Sequence, residues 1–297
     1  MFQGHWKKNK KPNAKLIYIS FESAPLTKNE LNHVYKKVRG LKALSNQLIK
    51  KLPNIYQSTH RIFFESENIE LILIYDDFNS LKNFKFKADA WFLDGFAPTK
   101  NSTAWNSKLF EQIYFSTNFK GTFSTFTSAG HVRRGLSNSG FSVSKVVGFG
   151  NKKASLIGIK KNLSSKNNKV SNSKNSIGPV AIIGSGISGA SLAYSLRKRN
   201  IECFIVDKSS KYASGASGNK LAIQMPKLTL DSSPYGLLSL EAFSYSRKLA
   251  KDLNSIPTSN GLIVLPSKER DKVKYSKLLQ NNWPIDLITN KVDNDNF

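Results

Sequence analysis

GPVAIIGSGISGASLAYSLRKRNIECFIVDK, residues 178–208, spells a strand, a glycine-rich turn, a helix and a second strand in that order. VAII is a short apolar run fit for a buried strand. Gly184, Gly186 and Gly189 then form G-x-G-x-x-G. The first glycine permits the tight turn, the second lets backbone approach a pyrophosphate, and the third lets the helix pack on the strand. The helix SGASLAYSLRKRN offers its first amides to phosphate. IECFIVD is the next strand, and Asp207 at its end stands where an acid accepts ribose hydroxyls. Strand, turn, helix, strand and acid together predict a Rossmann-like βαβ unit that binds a dinucleotide.

Immediately after that unit comes YASGASGNKLAIQMPKL, with a second turn of small residues from Ser214 to Asn219. It resembles the GASGN segment of the glycine oxidase and D-amino-acid oxidase superfamily, in which that segment passes the FAD pyrophosphate. The resemblance implies FAD rather than NAD, oxidation of a C–N bond, and a cofactor-binding role for Ser217, Gly218 and Asn219. Immediately before the unit, residues 161–177, KNLSSKNNKVSNSKNSI, are dominated by Ser, Asn and Lys, the composition of a solvated linker. The predicted organisation is a first domain over 1–160, a linker over 161–177 and a second domain over 178–297.

The first part alternates strand and helix patterns. KLIYISFE, IELILIYDD, ADAWFLDG and GTFSTFTS read as strands. Leu31, Val34, Val38, Leu41, Leu44 and Leu48 recur at steps of three and four, which predicts one amphipathic helix. WNSKLFEQIYFS and AGHVRRGLSNSG read as two further helices, the second closed by Gly140. The alternation predicts an α/β domain with a parallel sheet covered on both faces. Ligands of such sheets sit at the carboxyl ends of the strands. Glu22, Asp76, Asp77 and Asp94 fall at such ends. A single acid there is ordinarily a turn residue or a helix cap. Several in one sheet can accept hydrogen bonds from ribose hydroxyls, an adenine amino group and a substrate amine.

The net charge is +25 over 297 residues. A surface of that sign attracts polyanions, nucleic acid first among them. The lysines are scattered with few aromatic residues between them, so charge alone locates no binding face, and a compositional bias toward Lys and Asn accounts for runs such as KKNLSSKNNK. No apolar run approaches a membrane span, and MFQGHWKKNKK has no signal-peptide core. One cysteine, Cys203, suits a reducing cytoplasm and forms no internal disulfide. Four histidines and that cysteine, none in ligand spacing, predict no metal site.

YISFESAPLTKNEL, DAWFLDGFAPTKNSTAW, GTFSTFTSAGHVRRGLSNSGF and GFGNKK, followed by the glycine fingerprint and GASGN, resemble in order the MnmC family of bifunctional tRNA-modifying proteins. That resemblance implies a partial Rossmann-like methyltransferase sheet followed by a FAD-binding Rossmann-like domain. It implies FAD-dependent removal of the carboxymethyl group from a carboxymethylaminomethyl-(2-thio)uridine of the tRNA wobble position, then methylation of the exposed amine from S-adenosylmethionine. The partner implied is the anticodon stem-loop of tRNA. Glu22 would hold the ribose of the methyl donor and Asp77 its adenine, and Asp94 would face the substrate amine as the catalytic residue. Gly184, Gly186, Gly189 and Asp207 would hold FAD.

In the family the methyltransferase opens with a strand and the turn GFGTGLNF, whereas here Met1 falls just after that place and FQGHW fits the helix that follows it. The expectation is a sheet lacking its first, central strand, with two strand edges exposed and poor binding of the methyl donor. GLIVLPSKERDK resembles only the start of the flavin domain's substrate-binding part, so an open site with weak FAD retention is expected as well. Two other readings stay open: a FAD-dependent amine oxidoreductase whose front domain only docks RNA, and an inactive fragment that binds RNA through charge.

Overall fold

The structure, a computed structural model, describes residues 14–38, 40, 42–52, 59–64, 68–95, 105–148, 150, 152–161, 178–230, 233–255, 257, 261–280 and 287–288. The linker expected over 161–177 lies outside the described residues beyond 161, as does FQGHW. By packing, the chain divides into two units: Met1–Ser164 with Pro226–Phe297, and Ser165–Met225.

In the first unit, β1 (Leu16–Phe21), β2 (Thr59–Phe64) and β3 (Ile69–Ile74) form one sheet in the order β1-β3-β2. β1 and β3 are parallel, and β2 is antiparallel to β3. A second sheet holds β4 (Ala88–Leu93), β5 (Thr117–Thr125), β6 (Phe141–Val147) and β7 (Ala154–Lys160) in the order β4-β5-β7-β6. There β4 and β5 are parallel, and β7 is antiparallel to both neighbours. The wholly parallel sheet expected from the sequence is therefore corrected to two mixed sheets. The cause is connection length: β2–β3 and β6–β7 are joined by a few residues each, and a parallel pair needs a crossover of a dozen or more. Among the described residues, no strand pairs with the outer edge of β1 or of β4.

The long helix expected across Leu31–Leu48 is also corrected. It is two helices, α1 (Lys28–Lys36) and α2 (Lys42–Lys51). Gly40 between them has φ +79°, a left-handed conformation that no helix can continue through. Thr27 and Glu30 start α1 with reciprocal hydrogen bonds, the Thr27 hydroxyl accepting from the Glu30 amide and the Glu30 carboxylate accepting from the Thr27 amide. Leu41 lies outside the described residues.

Each sheet has its own core. Ile49 and Leu52 pack with Ile62, Phe64 and Ile69 on the first. On the second, α3 (Ser107–Phe115) and α4 (Gly130–Asn138) bury Leu109, Phe110, Ile113, Val132 and Leu136 against Phe123, Phe141 and Leu156. Phe21 of β1 and Trp91 and Leu93 of β4 pack against this same second core. Glu70, in the middle strand β3, is 2% exposed and takes Lys15 at 2.7 Å and Arg61 at 2.8 Å. A buried carboxylate demands such partners, and these two link it to the approach to β1 and to β2. Two helices from late in the sequence, α6 (Pro234–Asp252) and α7 (Glu269–Gln280), complete the unit.

The second unit holds β8 (Val180–Ile183), α5 (Ile187–Arg197) and β9 (Cys203–Val206), the two strands parallel from Val180 opposite Cys203 to Ile183 opposite Val206. This is the expected βαβ crossover. Ile182 is buried, whereas Ile183, Phe204 and Val206 are exposed.

Candidate functional site

In the first unit the parallel register carries β1 and β3 to the same end, Phe21 opposite Ile74. Glu22 follows, its amide donating to the Ile74 carbonyl at 2.9 Å. One of its oxygens, Oε1, accepts the Ala24 amide at 2.9 Å. Asp76 and Asp77 follow β3. Asp76 accepts the Asp77 amide at 2.8 Å. Asp77 caps the 3-10 turn Phe78–Asn83, its Oδ1 accepting the Asn79 amide at 2.8 Å and the Asn79 side-chain amide. Glu22 and Asp77 thus each use one carboxylate oxygen to fix their own turn. Among the described residues no donor meets the second oxygen of each, which can accept from a hydroxyl or an amino group, the donors that a nucleoside offers.

Asp94 follows β4 and is exposed. Its charge reaches Tyr18 in β1: burial, and then the Asp94 carboxylate, push the Tyr18 hydroxyl above its ordinary range. Tyr75 behaves alike beside Glu22, raised first by burial and second by that carboxylate. The buried His60 lies against it, ring centroids 5.1 Å apart. Glu22 and Asp77 are therefore brought together at one end of the first sheet, and Asp94 follows Leu93 of the second, which packs against the same core as Phe21. Tyr18 and Tyr75 were not singled out in the sequence. Only their alternation with core residues was visible there, and their adjacency to the acids depends on register.

In the second unit, Gly184 has φ +100°, and its amide donates to the Val206 carbonyl at 2.7 Å. A Cβ on Gly189 would lie 2.0 Å from the Gly184 carbonyl oxygen, so only glycine lets α5 sit this close to the turn. Gly186 is the N-cap of α5, with no side-chain cap hydrogen bond. The Ser217 hydroxyl stands at that helix end instead, accepting the Ile187 amide at 3.0 Å. Asp207 is clamped: Ser185 donates its amide at 2.6 Å and its hydroxyl at 2.7 Å to Oδ2, and the Ser209 amide donates to Oδ1 at 2.9 Å. These bonds hold its carboxyl down at about 2, the Ser209 amide contributing most. Gly218 and Asn219 close a short turn beside Ser217, their amides donating to the carbonyls of Gly215 and Ala216.

Gly184, Gly186, Gly189, Asp207 and Ser217 thus converge on one helix N-terminus. The fit to a dinucleotide is good. Among the described residues the amides of α5 carry no acidic cap, a hydroxyl such as that of Ser217 can also donate to an anion, and a carboxylate oxygen such as Asp207 Oδ1 can accept a second donor such as a ribose hydroxyl. Ser185 was not singled out in the sequence. Among the described residues no group of three His, Cys, Asp or Glu side chains is placed to hold a metal, and no helix is long and apolar enough to cross a membrane.

Two family models match successive stretches of the chain. Residues 39–161 match a family model described as S-adenosyl-L-methionine-dependent methyltransferase, and residues 179–292 one described as FAD dependent oxidoreductase. Along most of its length the chain resembles proteins named tRNA 5-methylaminomethyl-2-thiouridine biosynthesis bifunctional protein MnmC. It is 35% identical to that of Marinomonas sp. (strain MWYL1) over 89% of this chain and 41% of the relative. It is 36% identical to that of Pseudoalteromonas translucida (strain TAC 125) over 80% and 37%, and 33% identical to that of Aliivibrio fischeri (strain ATCC 700601 / ES114) over 94% and 43%. The chain spans less than half the length of these relatives. With a stretch similar to a methyltransferase family followed in one polypeptide by a stretch similar to a FAD-dependent oxidoreductase family, the chain is similar to the MnmC bifunctional proteins over most of its own length.

Proposed function

We propose that the chain carries residues for two consecutive steps on a tRNA wobble uridine: FAD-dependent removal of the carboxymethyl group from carboxymethylaminomethyl-(2-thio)uridine, then methylation of the freed aminomethyl nitrogen. When bound, FAD supplies the oxidising equivalents and S-adenosylmethionine the methyl group. In the second unit the chain's own part is to hold pyrophosphate on the amides of α5 and ribose on Asp207. In the first unit, Glu22 holds the donor's ribose and Asp77 its adenine, each through the oxygen its turn leaves over.

Asp94 faces the substrate amine. An ammonium has no lone pair and must lose a proton before it can attack, and a carboxylate at this position binds and orients the nitrogen. The observation that supports the methyl-transfer half is that Phe21, next to Glu22, and Leu93, next to Asp94, pack against one core. The partner on this reading is a tRNA anticodon stem-loop, and the compartment is the cytoplasm.

The test is methylation of tRNA that carries aminomethyluridine, followed by nucleoside mass spectrometry. At saturating S-adenosylmethionine the wild-type chain should form the methylaminomethyl product, and Asp94→Asn should lower the rate by about 100-fold or more. Asp89→Asn, which changes an exposed acid hydrogen-bonded to Asn118, should leave it unchanged. Full activity in Asp94→Asn, or no product from the wild-type chain, defeats the reading.

A further inference from the structure

β2 is one of the two outer strands of its sheet. In an antiparallel pair every second residue turns its backbone N–H and C=O away from the partner. Thr59, Arg61 and Phe63 share that phase, and side chains meet all three. The Thr59 amide donates to Glu241 Oε1 at 2.6 Å. Lys248 Nζ donates to the Arg61 carbonyl at 3.4 Å. Lys51 Nζ, from α2, donates to the Phe63 carbonyl at 2.6 Å. Glu241 and Lys248 both belong to α6, two turns apart on one face, and Leu240 beside them is 7% exposed. Ser233 caps the start of this helix, accepting the Gly236 amide at 3.3 Å.

The match to the FAD dependent oxidoreductase model runs over 179–292 and so includes α6. Packing nevertheless divides that span: the βαβ part falls in the second unit, and α6 falls with the sheets of the first. We infer that α6 is a clasp, a helix that the oxidoreductase-family segment contributes to the methyltransferase-family segment, and that its docking surface is the outer backbone edge of β2. Its grip lies on the row that ends at the candidate acids. Thr59 stands opposite Ile74, whose carbonyl accepts the Glu22 amide. The inference does not need the proposed reaction, because it rests on backbone groups and two side chains.

Hydrogen–deuterium exchange on the full chain tests it. Glu241→Ala should speed exchange at Thr59 by about tenfold or more, the change being confined to residues 59–64 and α6. Glu241→Gln keeps an acceptor oxygen without the charge, so it should give a smaller but resolved acceleration at the same amide and covers the case in which the alanine variant does not fold. Lys248→Met keeps the apolar stem and should loosen only the far end of the contact. Exchange at the wild-type rate in the Glu241 variants overturns the clasp. So does acceleration spread equally over β5, β6 and β7, which would mean general destabilisation.

Discussion

Asp207 is the residue whose surroundings speak most directly to chemistry. Its folded value of about 2 lies below the ordinary 3.8, so its contribution is complete above 3.8 and is lost as pH falls toward 2. The βαβ unit should therefore keep this carboxylate ionised, and its clamp intact, at every pH above 3.8. Ser185→Ala removes the hydroxyl donor and leaves both amides. The carboxyl midpoint, followed by carbon-13 NMR, should rise part of the way toward 3.8, and an unmoved midpoint would leave the Ser209 and Ser185 amides as the cause. The residue itself was legible because an acid at the end of the second strand has a recognised use. Ser185 was not, since x positions of a glycine fingerprint carry no signal of their own. Tyr18 and Tyr75 were hidden for another reason: an aromatic residue in an apolar strand looks like core, and only strand pairing sets each beside a carboxylate.

Among the elements, glycine positions separate two kinds of constraint. At Gly189 a methyl group would meet the Gly184 carbonyl at 2.0 Å, backbone against backbone. Gly189→Ala should push α5 off the turn and cost about 1–3 kcal/mol, read from urea unfolding of the second unit. At Gly40 an added Cβ would meet nothing within 4 Å among the described residues beyond its chain neighbours, but φ is +79°. Gly40→Ala should cost about 1–2 kcal/mol through conformation alone, and an unchanged unfolding midpoint would show that the α1–α2 junction can re-form another way. Strands ending in acids, the helix over 107–115 and the βαβ unit were all readable from pattern. The break at Gly40 was not, because the apolar stripe runs through it in step on both sides. β2 was missed too: THRIFF is short and begins with polar residues, and its burial of His60, Ile62 and Phe64 depends on pairing with β3.

For the molecule as a whole, the charge of +25 gives a prediction that needs no assigned site. Affinity for a short RNA stem-loop should fall by about tenfold or more between roughly 50 and 200 mM salt, because each neutralised phosphate releases counterions. A titration insensitive to salt would remove nucleic acid from the list of partners. The order of the two family segments was legible along the chain, while the path of α6 was not, since contacts between distant stretches leave no local pattern. That path has a consequence for the order of events at the ribosome. Glu241 emerges 182 residues after Thr59. At a synthesis rate of about 5–20 residues per second, Thr59 waits roughly 9–36 seconds for the side chain that meets its amide. During that interval the nascent chain presents an open β-edge to every neighbour, so its yield in the cell should depend on translation speed between codons 64 and 241.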